Sequence, residues 1–135
     1  MKLIPYIHYP GNAEEALNFY VSALNESIQQ LGRYGDSPID SDEDWQQKVM
    51  HARLVFDDNM IMISDSFKGQ PVSTEGNVQL NVAMEDEDKL EMVFNKMAEG
   101  GTITMGLQDT FWGARFGMLK DKFGISWMFN YELKK

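Results

Sequence analysis

The sequence predicts an α+β fold built from two βαβββ modules. Three observations carry this prediction. The order strand, helix, three strands occurs twice along 135 residues. Each helical stretch has one apolar stripe, and the strand stretches are short, apolar and separated by Gly, Pro, Asn and Asp turns. One helix covers one face of a four-stranded sheet and leaves the other uncovered. That second face is concave if the sheet curls, so the expected architecture is paired modules forming curled mixed sheets around a cleft. The expected organisation is a single domain, 1–135, with module one at 1–66, a linker at 67–75 and module two at 76–135.

Leu3 to Tyr9 is β-branched and aromatic, and reads as the first strand. Pro10-Gly11 ends it. Asn12 and Glu15 have capping-box spacing. Ala16, Leu17, Tyr20 and Leu24 then share one helical face, and the helix ends near Asn25. Glu26 to Tyr34 is a weaker strand. Gly35 to Lys48 is acidic and reads as a solvated loop with a short helical turn around 43–48. Val49 to Phe56 and Met60 to Ser64 form a hairpin across Asp57-Asp58-Asn59. Ser66 to Gly76 reads as a linker.

In the second half, Asn77 to Met84 alternates, with Val78, Leu80, Val82 and Met84 on one face and Gln79, Asn81 and Ala83 on the other. Glu85 to Asp88 supply acids to a helix N-terminus. Leu90, Val93, Phe94 and Met97 form the stripe, and Gly100 is the left-handed stop. Strands follow at 101–107, 114–119 and 125–132, with a turn at Asp121-Lys122-Phe123-Gly124. The residues expected in the core are Leu17, Tyr20, Leu90, Phe94 and Met97.

Composition narrows the function. The net charge is −9, which argues against phosphate-backbone binding and anionic membranes. Cysteine is absent, so disulfides, thiolate metal sites and cysteine nucleophiles are excluded. No early apolar run resembles a signal peptide or a membrane span, and the expected location is cytoplasmic. Ten methionines fit either an irregular core or an adaptable pocket.

The two histidines, His8 and His51, lie on different strands and form no local zinc motif. A site assembled across strands, with Glu132 or Asp65, would be needed. Gly113, Gly117 and Gly124 lack nucleotide-binding spacing, and Ser64-Asp65-Ser66 marks a loop entry. Arg115 follows Phe111-Trp112-Gly113-Ala114 and reads either as an anion contact or as a structural ion pair. Trp112, between a loop and a glycine, is a candidate pocket rim.

Two segments carry a resemblance. Tyr6-Ile7-His8-Tyr9-Pro10-Gly11-Asn12-Ala13-Glu14-Glu15-Ala16-Leu17-Asn18-Phe19-Tyr20 and Asp109 through Asn130 resemble the PhnB-like branch of the glyoxalase, bleomycin-resistance and dioxygenase (vicinal oxygen chelate) superfamily. Val49 to Ala52 and Ile61 to Asp65 also fit. The resemblance implies the glyoxalase-like fold, usually as a homodimer. Superfamily enzymes typically hold a divalent metal with four side chains. Here the corresponding positions fall near Pro5, Met62 or Ser64, Gln79 and Met128, a poor set for a hard cation. His8, His51, Gln79 and Asn81 are the reserves if the register slips. Related chains are often labelled as a demethylubiquinone methyltransferase, but no motif here supports a methyl-donor cofactor.

Two functions compete. One is a metal-free cleft that binds a small organic molecule, a cationic one if the net charge is a guide. The other is a divalent-metal enzyme of glyoxalase or dioxygenase type acting on vicinal oxygens. A purely structural or regulatory dimer is a third reading. Under the first, no cofactor is expected and strand alternation selects the candidate ligand contacts. They are Ile7 and Tyr9 with Pro5, Gln79 and Asn81, and Ser126, Met128 and Asn130. Trp112 or Arg115 would close one side.

Overall fold

The protein is described from a computed structural model covering residues 1–25, 27–74 and 76–133, with 27–29 as backbone. The expected strand start at Glu26, the linker residue Glu75 and the last two residues of module two lie outside the described residues. The chain divides into two units, Met1–Val72 and Ser73–Lys135.

The first unit contains β1 (Tyr6–Tyr9), α1 (Ala13–Leu24), β2 (Ser27–Arg33), β3 (Val49–Phe56) and β4 (Asn59–Asp65), with sheet order β1-β4-β3-β2. β1 runs parallel to β4, and the other pairs are antiparallel. β1 is shorter than its apolar run, and Leu3 stays exposed. Ala16, Leu17, Tyr20 and Leu24 are buried as their spacing predicts, and Asn25 closes α1 in a left-handed conformation.

The expected capping box does not form. Asn12 makes no side-chain bond to the helix. Asp65, at the end of β4, caps it instead. Its Oδ1 accepts from Ala13 N–H at 2.9 Å and its Oδ2 from Val49 N–H at 2.9 Å. This carboxylate is 1% exposed and ties α1, β3 and β4 together. Sequence spacing favours local partners, and this partner lies 52 residues away. The acidic segment before β3 holds two short turns, Tyr34–Asp36 and Glu43–Trp45.

The second unit contains β5 (Leu80–Met84), α2 (Glu87–Met97), β6 (Thr102–Asp109), β7 (Ala114–Lys120) and β8 (Ser126–Glu132), with order β5-β8-β7-β6. β5 is parallel to β8 and the rest antiparallel. Asp86 caps α2 by accepting from Lys89 N–H, and Gly100 turns the chain at φ +73°. Leu90, Val93, Phe94 and Met97 are buried. Gly117 lets β7 approach α2, because a Cβ there would stand 2.8 Å from the Phe94 ring. β5 starts at Leu80, so Val78 is exposed and Gln79 precedes the ladder.

The paired βαβββ order and the mixed sheets match the expectation, but the curled form does not. Neither sheet is curled or closed: each is an open ladder ending on unpaired edges, β1 and β2 in one, β5 and β6 in the other. Four strands are too few to close, since the smallest filled barrels need about eight. Register shifts are confined to the β2–β3 and β6–β7 pairs, next to those edges.

Candidate functional site

Register and alternation assign the residues of β1, β3 and β4 to one of two faces. Ile7, Tyr9, Ala52, Leu54, Ile61, Ile63 and Asp65 form the face under α1. Tyr9 is the clearest marker, buried with its hydroxyl 2.9 Å from that of Tyr20 on the helix. The opposite face has no helix and presents Tyr6, His8, His51, Arg53, Met62 and Ser64.

These open-face side chains are connected. His8 Nδ1 lies 3.1 Å from Ser64 Oγ, and Tyr6 stacks on His8 with ring centres 4.9 Å apart. Tyr6 Oη is 3.2 Å from His51 Nδ1, and Arg53 Nε donates to His51 Nε2 at 3.5 Å. With Nε2 accepting, the neutral ring carries its proton on Nδ1 and donates it to Tyr6 Oη. The phenol hydrogen is then available to a ligand. Tyr6 and His8 are exposed, His51 and Arg53 are half-buried, and Ser64 is buried beneath them. Gly32 pairs opposite His51 and adds no side chain over it.

The second sheet has an open face of different character. Asn81 pairs with Met128, and Ser126 and Asn130 flank Met128 on the same side. Phe116 and Met118 pair with Asn130 and Met128. The groups are neutral amides, a hydroxyl, thioethers and an aromatic ring. Asn130 Oδ1 is buried without a hydrogen-bond partner among the described residues, an acceptor without a donor.

The sequence candidates therefore separate. Asn81, Ser126, Met128 and Asn130 come together, with Gln79 just before them. Ile7 and Tyr9 face α1, because the period-two face of β1 that avoids the helix is Tyr6 and His8. Arg115 also sits on the helix side. It bonds Glu91 at 2.9 Å and Asp109 at 3.3 Å, with Glu87 3.9 Å away. Burial works against its charge, but the bonds to Asp109 and Glu91 outweigh it and hold the guanidinium above its ordinary pKa. This is the structural ion-pair reading. Trp112 is 56% exposed in the β6–β7 connection, edge-on to Phe111 and Phe116.

The sequence reading names neither Tyr6 nor Arg53 as a candidate, and takes Ser64 as a metal-equivalent position or a loop entry. The signal was present: Tyr6 and Arg53 are each two residues from a histidine, so alternation places them on the histidine's face. A separate concavity of about 230 Å³ is lined by Tyr34, Asp42, Trp45, Phe67 and Lys68 among others. Its lining Lys68 is engaged internally, with Nζ 3.3 Å from Asp42 of the same lining and 2.7 Å from Asp44.

A family described as 3-demethylubiquinone-9 3-methyltransferase matches residues 1–129. The chain belongs to that family. This PhnB-like chain is 36% identical to protein PA1353 from Pseudomonas aeruginosa, over 99% of each chain, with a TM-score of 0.90. It is 30% identical to the Bacillus cereus PhnB protein, which carries the same methyltransferase name, over 97% of this chain and 99% of that one, at a TM-score of 0.82. A glyoxylase/bleomycin resistance protein/dioxygenase domain from Frankia sp. EAN1pec shares the fold alone, at 14% identity, a TM-score of 0.65, and 97% and 89% coverage. The PhnB-like protein thus shares the fold of a glyoxylase/bleomycin resistance protein/dioxygenase domain.

Its residues do not fit the divalent ion that superfamily enzymes hold. Among the described residues no group of three or more His, Asp or Glu side chains is placed to hold a metal ion. The first open face sets a guanidinium 3.5 Å from one of its two imidazoles, which would repel a cation. A methyl-donor nucleotide fits no better. The glycine at the β1–α1 junction, Gly11, packs against the Trp45 ring instead of forming an open loop. No helix among the described residues is long and apolar enough to cross a membrane.

Proposed function

We propose that this PhnB-like protein binds a small organic ligand on the open faces of its sheets and uses no divalent ion to do so. The observation that carries the reading is the cluster Tyr6, His8, His51, Arg53 and Ser64 on a sheet face that no helix covers. A few polar groups set in apolar surface, here Met62 beside them, are the usual composition of a small-molecule site. Asn81, Ser126, Met128 and Asn130 form the second such set. The methyltransferase activity in the family's name is not part of this reading.

The same proposal has the chain act as a homodimer. Its support is apolar surface on and after β6, where Ile103 is half-exposed, Phe111 is 98% exposed and Trp112 stands beside it. Sedimentation should give a species of twice 15.5 kDa, and a 15.5 kDa species at micromolar concentration would refute the dimer.

The ligand reading is tested by elemental analysis and by NMR titration with small aromatic and aliphatic molecules. Well under one equivalent of zinc, nickel, manganese or iron per chain is expected, with ligand-dependent shifts at Tyr6, His8 and His51. A full metal equivalent lost on His8→Ala or His51→Ala would return the balance to a metal enzyme.

A further inference from the structure

We propose that the open face of the first sheet is an oxyanion site, with Arg53 as the main contact for the carboxylate, phosphate or phosphonate group of a small organic molecule. The inference rests on the small-ligand reading and adds the chemical class.

The chain has three arginines, and two are held by acids. Arg33 forms a two-point pair with Glu14, at 2.6 and 3.2 Å. Arg115 is ringed by Glu87, Glu91 and Asp109. Arg53 differs. Among the described residues it pairs with no carboxylate, although the chain has 21 acids against 12 bases. Its one hydrogen bond among the described residues uses Nε, toward His51. Both terminal nitrogens, with four N–H groups in a planar fork, remain available, and that fork matches an oxyanion at two points.

The neighbours supply donors of the same sense. The Tyr6 hydroxyl hydrogen is released by the His51 tautomer that the Arg53 bond selects. His8 uses Nδ1 on Ser64, and its Nε2 has no partner among the described residues. None of Tyr6, His8, His51, Arg53, Met62 and Ser64 is acidic. Gly32 opposite His51 leaves room, since a Cβ there would meet nothing nearer than the His51 carbonyl oxygen at 3.8 Å. The net charge of −9 favours a cationic ligand only at long range. Screening over about 8 Å at physiological salt lets this local donor cluster decide.

The test is NMR titration of isotope-labelled protein at fixed ionic strength with four probes of one shape: benzoate, phenylphosphonate, benzamide and benzylammonium. The Arg53 Nε–H and the Tyr6 and His8 ring signals should shift saturably with the two anions. Benzamide and benzylammonium should bind roughly ten- to a hundredfold more weakly, the value of a charge-assisted hydrogen bond. The ratio of benzoate to phenylphosphonate affinity identifies which oxyanion the face prefers. Arg53→Gln should weaken the anions by a similar factor, Arg53→Lys by less, and Lys68→Gln not at all. Benzamide or benzylammonium saturating the same signals at the concentrations of the anions overturns the oxyanion assignment and leaves the small-ligand reading standing. If no probe moves these signals, both fail.

Discussion

The two modules differ on the face away from the helix and agree on the face beneath it. Under α1 and α2 both sheets bury apolar side chains, and both use a buried aspartate, Asp65 or Asp121, to collect N–H groups at the end of the hairpin or turn. On the open side, the first sheet carries imidazoles, a phenol and a guanidinium, whereas the second carries amides, thioethers and a phenyl ring. Burial restricts the helix side to residues that pack or are satisfied internally. The open side has no such restriction, so one strand order can present two chemistries.

The aspartates give the largest expected effect and sharpen the comparison. Asp65 bonds N–H groups 52 and 16 residues away, joining three elements. Asp121 bonds Phe123 N–H, Ile125 N–H and Trp127 Nε1–H, all within six residues, and organises one turn. Asp65→Ala leaves two buried donors unsatisfied, which should cost on the order of 2–6 kcal/mol. Denaturant melts should show it, with early loss of amide protection in α1. Asp121→Ala should cost a similar amount but leave α2 protected. Equal protection of α1 in both variants would break the distinction between a cross-link and a turn organiser.

Next come the helix stripes, where the modules should behave alike. Leu17 and Leu90 are both fully buried. Leu17→Ala and Leu90→Ala should each cost about 2–5 kcal/mol. A loss below about half a kcal/mol in either would contradict the packing role assigned to that helix.

What the sequence made legible follows the same division. Helix stripes, the β3–β4 hairpin and the strand order could be read because burial imposes period 3.6 or period 2 on local residues. Asn81, Ser126, Met128 and Asn130 were placed together by alternation along β8, and β5 delivers the rest through its register with β8. On the first strand the expected outer face is one residue out of phase with the structure. Pro5, Ile7 and Tyr9 were chosen as the outer face, yet Tyr9 contacts Tyr20 and Tyr6 and His8 face outward. A strand of four residues has too few alternations to reveal which face meets the helix. Asp65 as a distant helix cap and the acids around Arg115 were not legible, because both depend on pairings across the fold. The curled sheets came from a conditional geometric step, and strand number decides against them.

A glycine on each face supplies a smaller effect. Gly117 lies against Phe94 and Leu107, and a Cβ there would stand 2.8 Å from the Phe94 ring. Gly117→Ala should cost about 1–3 kcal/mol by overpacking. Gly32, on the open side, has free space. Gly32→Ala should be neutral or stabilise by up to about 1 kcal/mol, since glycine weakens strand interiors. Matching destabilisation by both, measured by thermal melts, would mean that the open face is packed after all.

The smallest effect is electrostatic. The bidentate Arg33 bond holds the Glu14 carboxyl below its ordinary pKa, with burial opposing and the charges of Arg33 and Lys48 helping. A carboxylate lowered on folding stabilises the folded state above its unfolded pKa, near 4.5, and that contribution disappears as pH falls through the lower folded value. The pair is partly exposed, with Glu14 at 46%, so solvent screening limits it to about 0.2–1 kcal/mol. Stability of the wild type minus Glu14→Gln should therefore be positive at pH 7 and shrink toward zero below pH 4.5. It should also fall in high salt. Arg53→Gln should show no comparable pH-dependent difference in that acid range, because it pairs with no carboxylate among the described residues. An acid-sensitive loss at Arg53 would reveal an internal acid partner there and remove the basis for an oxyanion site.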